Sequence, residues 1–320
     1  MTPRSILVTG GLGAVGAALV AELRGRGHDV LVADDRHHAA AGYARCDVGE
    51  FHQVERLWTG GGWSRGYAPH ARRFDLVYHL AAEFGRWNGE DYYETLWRTN
   101  AVGTKNILRM QEREGFEAVY FSSSEVYGDH SGAMNEDVMD TVAIRQMNDY
   151  AMSKWVNEMQ VLNSAAAFGT RSVRVRLFNT YGPGEHYSPY RSVICLFAYR
   201  LLHDMPIEVH AGYRRTSTYI TDMARTLANI AGRFAPGEVY NIGGDELHSI
   251  ERVADLVLDA VGKRDRASEL VRHVGDETLT TRDKIVDCAR ARRDLDHRST
   301  VSLEDGVRRT VAWMRGVYGL

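Results

Sequence analysis

Ile6-Leu7-Val8-Thr9-Gly10-Gly11-Leu12-Gly13-Ala14-Val15-Gly16 is the stretch whose reading decides the fold. Its first four residues are apolar or β-branched and read as a buried strand, and the glycines at 10, 13 and 16 follow at once, where a helix opens. Such a turn lets backbone N–H groups approach an anion and aims a helix N-terminus at it, the setting in which a pyrophosphate binds. Three glycines alone would also make a tight turn that holds nothing. The next strand, however, runs into Asp34-Asp35 about one βα unit later, where a carboxylate can accept both ribose hydroxyls. Together these features predict a dinucleotide site that includes Gly10, Gly13, Ala14, Val15, Gly16, Asp34 and Asp35. A carboxylate at Asp34 repels a 2′-phosphate and favours NAD over NADP, while Arg36 keeps the second open.

Working outward, short β-branched runs alternate with longer helix-periodic segments through the first half of the chain. That rhythm predicts a parallel sheet covered by helices, α/β and doubly wound. The strands read as Ile6 to Thr9, Asp29 to Ala33, Asp75 to Leu80, Ala118 to Ser122 and Ser172 to Phe178, with helices beginning near Gly13, Glu50, Tyr92 and Asp149. After Phe178 the rhythm breaks into Tyr181-Gly182-Pro183-Gly184 and a mixed region. Residues 1–178 are therefore expected to form the cofactor domain and 179–320 mainly a smaller substrate-binding domain. Val239 to Ile242 reads as a strand returning to the first sheet, so residues 213–245 are expected to rejoin it and the second domain to be interleaved. Gly60-Gly61-Gly62 and the polar stretch to Arg73 suggest a long surface loop.

Composition bounds the rest. The 320 residues can bury a sizeable core, and a net charge of -3 argues against a nucleic-acid partner, which would ask for a basic excess. Three widely spaced cysteines, Cys46, Cys195 and Cys288, give neither a disulfide framework nor paired metal-ligand spacing. They fit a reducing cytosol, and the absence of a charged leader or a membrane-length apolar run adds to the expectation of a cytoplasmic protein without membrane contact. The thirteen histidines do not group at ligand spacing, so no metal site is expected.

Tyr150 and Lys154 stand four residues apart near the start of a helix and project from one face. An ammonium near a phenol favours the phenolate, which would make Tyr150 a base for a substrate hydroxyl. By itself Tyr-x-x-x-Lys is common on solvated helix faces, and its context supplies the specificity.

With these motifs the chain resembles the extended short-chain dehydrogenase/reductase family, meaning the NAD-dependent sugar-nucleotide epimerases, dehydratases and decarboxylases. The likeness spans nearly the whole chain and adds Asp47-Val48, Leu80-Ala81-Ala82, Thr99 to Thr104, Ser122 to Gly128 and Arg176 to Pro183 to the motifs above. It implies a Rossmann-type sheet with an interleaved C-terminal substrate domain, NAD as cofactor, a nucleotide sugar carried on UDP as substrate, and a homodimer formed by the helices near Tyr92 and Asp149. It further implies that Asp47 and Val48 meet the adenine, that Leu80, Ala81 and Ala82 pass beside the cofactor, and that Asn100 and Ser122 belong to the same site. Ser123 or Ser124 would hydrogen-bond the reacting hydroxyl together with Tyr150, and Lys154 would also hold the nicotinamide ribose. Asn179 resembles a contact near the substrate diphosphate and Arg215 the arginine that clamps it; a turn residue and a surface ion pair are the bland alternatives.

The reaction stays open between members of the family. Oxidation at sugar C4 makes a ketone that acidifies C5–H and activates loss of a C6 carboxylate. A 4-epimerase needs only Tyr150, Lys154, a hydroxyl and room for the keto sugar to turn. A 4,6-dehydratase also needs an acid and a base, and in the related dehydratases an Asp-Glu pair stands where this chain has Ser124-Glu125. Ser-Glu is also similar to the uronate decarboxylases, so Glu125 stays a candidate. The stretch Glu83 to Gly89 departs from the family's small residues; Glu83 is a candidate sugar contact, and Arg86 or Arg191 could meet a uronate carboxylate. The preferred expectation is a 4-epimerase acting on a UDP-hexose or UDP-hexuronate, ahead of a dehydratase or decarboxylase and of a net 4-keto reductase. A non-enzymatic NAD(H) sensor would not need an intact Tyr150, Lys154 and Ser123.

Overall fold

The computed structural model describes residues 2–59 and 72–320. The glycine-rich loop expected from Gly60 onward lies, through residue 71, outside the described residues. Seven strands form one parallel sheet: β1 (Ser5–Thr9), β2 (Asp29–Asp34), β3 (Tyr43–Arg45), β4 (Leu76–His79), β5 (Glu117–Ser123), β6 (Ser172–Leu177) and β7 (Val239–Ile242). Their order is β7-β6-β5-β4-β1-β2-β3, so the chain reverses direction across the sheet on either side of β1. In-register pairing puts Thr9 beside both Ala33 and His79 at that reversal, the place where open α/β sheets hold ligands beyond their strand ends.

Period-two alternation explains why both faces are covered. Ile6, Val8, Tyr78, Val119 and Val173 face one apolar layer with Met223 and Leu227, whereas Leu7, Val77, Ala118 and Tyr120 face another with Ile107, Met110 and Val161. The first layer is closed by helices Ala14–Gly25 and Ile220–Asn229, the second by Gly103–Glu114 and Asp149–Phe168. A third apolar cluster joins helices Val193–Leu202, Ile250–Val261 and Leu303–Tyr318 on the far side of the strand ends.

Two elements depart from the sequence reading. β3 is a strand of only three residues with no apolar run, and it was absent from the strands read off periodicity. The helix expected from Tyr92 is instead two short helices, Arg86–Asp91 and Tyr93–Trp97, followed by a π-helical turn Arg98–Val102 and then Gly103–Glu114. Of residues 213–245, Val239–Ile242 pairs with β6 in the main sheet, while Arg214–Thr216 pairs with Leu247–Ser249 and Asp283–Val286 in a smaller sheet. Ala133–Met134 joins that smaller sheet from inside the first 178 residues. All three cysteines are free and buried. Among the described residues no helix is long and apolar enough to cross a membrane, and no cluster of His, Cys, Asp and Glu gathers as a metal site would.

Candidate active site

A cleft of about 1000 Å³ runs along the strand ends, between the main sheet and the smaller helical layer. Gly10, Gly13, Ala14, Val15 and Gly16 line one end of it. Gly10 has φ +68°, and a Cβ there would stand 2.6 Å from the Ala81 nitrogen; a Cβ on Gly16 would stand 2.3 Å from the Gly10 oxygen. Both are backbone contacts that cannot yield, so the turn requires glycine at each. The helix that follows has no side-chain cap at Gly13 and no acidic residue in its first turn, which leaves its N–H groups open to an anion in the cleft.

Asp34 ends β2 nearly buried; its carboxylate accepts from the Leu12 N–H at 3.0 Å and from Arg36 Nε at 2.8 Å. Burial pushes its pKa up, but these donors outweigh it and hold the group below its ordinary value. Asp35 moves the other way, through burial and the neighbouring Asp34 charge. Asp47, Val48, Leu80, Ala81 and Ala82 line the same end. An uncapped helix start beside a nearly buried, ionised carboxylate fits a dinucleotide, its pyrophosphate at the first and its ribose at the second.

The middle of the cleft carries Ser122, Ser123, Ser124, Glu125, Tyr150 and Lys154. β5 delivers the serines at its C-terminal end, and Ser123 caps the short helix that follows by accepting from the Glu125 N–H at 3.2 Å. The Ser122 hydroxyl is turned away, donating to Glu158 at 2.5 Å. Asn148 caps the helix Asp149–Phe168, so that Tyr150 and Lys154 leave its first turns toward the cleft. Burial drives Tyr150 up to about 12, opposed by a hydrogen bond with Ser123 and reinforced by the Glu125 charge. The expected relief from Lys154 is not what sets this value. Its ammonium lies 5.9 Å from the Tyr150 ring centre and donates to the Phe121 carbonyl at 3.0 Å, and burial brings it down to about 8.

The far end is a cluster of charges. Arg86, Arg215, Glu125 and Glu277 line the cleft, and Lys284 stands behind Glu125 in direct contact with its carboxylate. Arg86 pairs with Glu277 at 2.5 Å. The Arg215 guanidinium donates to the Arg214 and Arg282 carbonyls at 2.8 and 2.7 Å and lies 3.9 Å from Glu277. Arg191 lies 4.1 Å above the Phe84 ring and donates to the His186 carbonyl. Asn179 lines the cleft with φ +37°, and its side-chain amide donates to the Thr216 carbonyl at 2.9 Å, so it holds its own turn. Asn100 does not line the cleft. It sits in the π-helical turn and clamps Glu83, accepting from its N–H at 2.9 Å and donating to its carbonyl at 3.0 Å, which keeps Glu83 in the wall.

Lys284 and Glu277 were missed in the sequence. Both lie in polar stretches that read as solvated surface, and only the pairing of Arg215 with Lys284 across the small sheet brings them inward.

Residues 6–243 match the NAD dependent epimerase/dehydratase family. The chain is 28% identical to a UDP-N-acetyl-alpha-D-glucosaminuronate decarboxylase of Bacillus cytotoxicus, covering 97% of this chain and 98% of that one. It is 29% identical to a dTDP-glucose 4,6-dehydratase of Neisseria meningitidis, covering 97% and 93%. Among solved structures, the UDP-glucose 4-epimerase of Thermus thermophilus in complex with NAD superposes with a TM-score of 0.82 at 25% identity, over 98% of this chain and 99% of that one. Matches of such length to three different reactions, on one glycine turn and one parallel sheet, make this chain a member of the NAD dependent epimerase/dehydratase family, an NAD-dependent enzyme of the extended short-chain dehydrogenase type.

Proposed function

We propose that the chain is a 4-epimerase of a UDP-linked hexose or hexuronate, working by transient oxidation at C4. The observation that carries this reading is the state of Glu125, the carboxylate that follows the three serines into the cleft. Position 124 is a serine, and Glu125 is already engaged by the Lys284 ammonium and held below its ordinary pKa, burial notwithstanding. A carboxylate so paired is a poor proton donor for the C6 hydroxyl that a dehydratase must expel. Tyr150, Ser123 and Lys154 remain, and they suffice for epimerisation.

In this reading Tyr150 takes the C4 hydroxyl proton while Ser123 hydrogen-bonds the same oxygen. Lys154 keeps a positive charge near the phenol and holds the ribose of the cofactor. NAD, when bound along Gly10 to Gly16 with its ribose on Asp34, supplies the hydride acceptor and returns the hydride. Asp47, Val48, Leu80, Ala81 and Ala82 flank it, and residues 1–178 serve as its domain. Arg215 receives the diphosphate, with Asn179 shaping the adjacent turn and Glu83 lining the sugar wall, so that 179–320 is mainly the substrate unit. Epimerisation then asks the keto sugar to turn in the cleft and accept hydride on its other face. A decarboxylase is the second reading, favoured by the cations of Arg86 and Arg191 along the cleft, either of which would suit a uronate carboxylate.

The helices that carry Tyr92, Tyr93, Met152, Trp155 and Leu162 leave these apolar side chains exposed, which supports a homodimer through that face. Proton NMR of the enzyme with UDP-glucose, UDP-N-acetylglucosamine and UDP-glucuronate in deuterated buffer, without added NAD, tests the reaction. A 4-epimer free of solvent deuterium is the expected product; a 4-keto or pentose product carrying deuterium would assign Glu125 to C5 or C6 chemistry instead.

A further inference from the structure

Arg215 and Lys284 are direct partners on neighbouring strands of the small sheet, one 8% and the other 3% exposed. Two like charges side by side in a buried place repel, and such a pair persists only where anions lie against it. Glu277 lies against Arg215 and Arg86, and Glu125 lies against Lys284. Glu125 arrives from a different layer altogether, from the turn after β5, and its N–H is fixed by Ser123, the same serine that touches Tyr150. The ion pair thus spans the main sheet and the small sheet, 159 residues apart in the chain, and its acidic member faces the reacting centre. The mechanism above gives neither member a task.

A ketone at C4 makes the adjoining C5–H acidic. A sugar whose C4 hydroxyl meets Tyr150 has C5 and C6 in the neighbouring space, which Glu125 lines. A free carboxylate there would take the C5 proton, leaving the electron pair on the C4 oxygen as an enolate, and would return a solvent-derived proton afterwards. We propose that Lys284 is a positioning residue that fixes Glu125 as a paired carboxylate, so that C5–H survives while the keto sugar turns in the cleft. The groups facing Glu125 are Lys284 and Arg215 from the small sheet, Arg86 from the helix after β4, and Tyr150 from the helix Asp149–Phe168. All three cations hold its proton affinity down, and Lys284 alone touches it. The same pairing counters the burial that brings Lys284 down to about 8. This role rests on the 4-epimerase reading.

The test compares wild type, Lys284→Met, Lys284→Arg and the double variant Lys284→Met/Glu125→Gln, each as full-length protein, with the same three UDP-sugars in deuterated buffer. In Lys284→Met the Arg86 and Arg215 cations still oppose the burial of Glu125, so in buffer of pH 8 to 9 the freed carboxylate stays ionised with a higher proton affinity, and deuterium at C5 rises by about tenfold or more over wild type per 4-epimerisation event. Lys284→Arg restores the wild-type pattern, and the double variant loses the exchange again because the acceptor is gone. If Lys284→Met fails to fold, Lys284→Gln, which keeps a donor beside Glu125 without the charge, carries the same test: C5 exchange in it supports the proposal and its absence overturns the role of Lys284, while exchange in the double variant, which removes both charges rather than stranding one, overturns the proposal as well. A wild-type 4-epimerase whose folded Lys284→Met variant leaves C5 free of deuterium overturns the role of Lys284 alone. Wild type that itself yields a C5-deuterated keto or pentose product overturns the reaction assigned above, and the role with it.

Discussion

Tyr150 sits under two opposed demands: it must lose a proton to act as a base, yet its burial and the Glu125 charge hold the proton on. Lys154, buried at about 8, must keep its own proton to support a phenolate. The reactive form, phenolate with ammonium, is then a minority species whose share grows with pH until Lys154 begins to lose its charge. The account predicts that kcat/KM rises by about tenfold per pH unit from pH 6 toward pH 8 and levels off above it. A profile flat from pH 6 to 8 would contradict this. Tyr150→Phe is expected to lower kcat by about 10³ while the protein keeps its NAD, measured by turnover and by cofactor released on denaturation. Gly16→Ala drives a Cβ into the Gly10 carbonyl and is expected to lose NAD instead, with the fold otherwise retained. At this scale the meeting of Tyr150, Lys154, Asp34 and the glycines along one cleft was legible, because each lies in a short motif at a strand end or a helix start. Lys284 was not, because what brings it to Glu125 is a strand pairing between distant segments, and nothing local to Arg282-Asp283-Lys284 distinguishes it from exposed charge.

Elements are tied together by a buried ion network behind the site. Glu158 leaves the same helix as Lys154, one turn further on, and accepts from Arg176 on β6, from Arg174 and from Ser122 on β5. Arg176 is 2% exposed and also donates to Tyr127 and the Glu136 carbonyl. The network thereby locks the Tyr150 helix to the two strands whose ends carry the serines and Asn179. Removing one member strands a buried charge, so Arg176→Met is expected to cost about 3–5 kcal/mol in chemical denaturation, more than Arg176→Met combined with Glu158→Met. Burial raises the Glu158 pKa, but the arginines outweigh it and the net value is lowered. A depressed folded-state value means that the stabilisation is present above 4.5 and drains away as pH falls through the folded value, so the two variants should converge with wild type in acid. The alternating strands and helices were legible from period alone. β3 was not, being too short to show a period, and the helix expected from near Tyr92 is interrupted by a π-helical turn at Arg98–Val102, where the Asn100 side chain bonds the Glu83 backbone, a long-range contact that local periodicity does not encode.

For the molecule as a whole, the cleft is made by two layers that the chain visits alternately, and a ligand bound between them should hold them together. Stripping the cofactor is expected to lower stability by about 2.7 kcal/mol relative to protein at NAD a hundredfold above its Kd, read as a fall in Tm that added NAD reverses. The exposed apolar face of the helices near Tyr92 and Asp149 is expected to pair with its own copy, so light scattering should give twice the chain mass, and Trp155→Glu should return it to one. The central claim is that the hydrogen at C4 leaves the sugar and comes back to the same carbon. The most direct test is to supply the epimerised UDP-sugar with deuterium at C4 in ordinary water, without added NAD, and to locate the label by NMR. The account predicts a 4-epimer that keeps its deuterium at C4, formed more slowly than the unlabelled sugar. Deuterium lost to solvent or found at another carbon would contradict it.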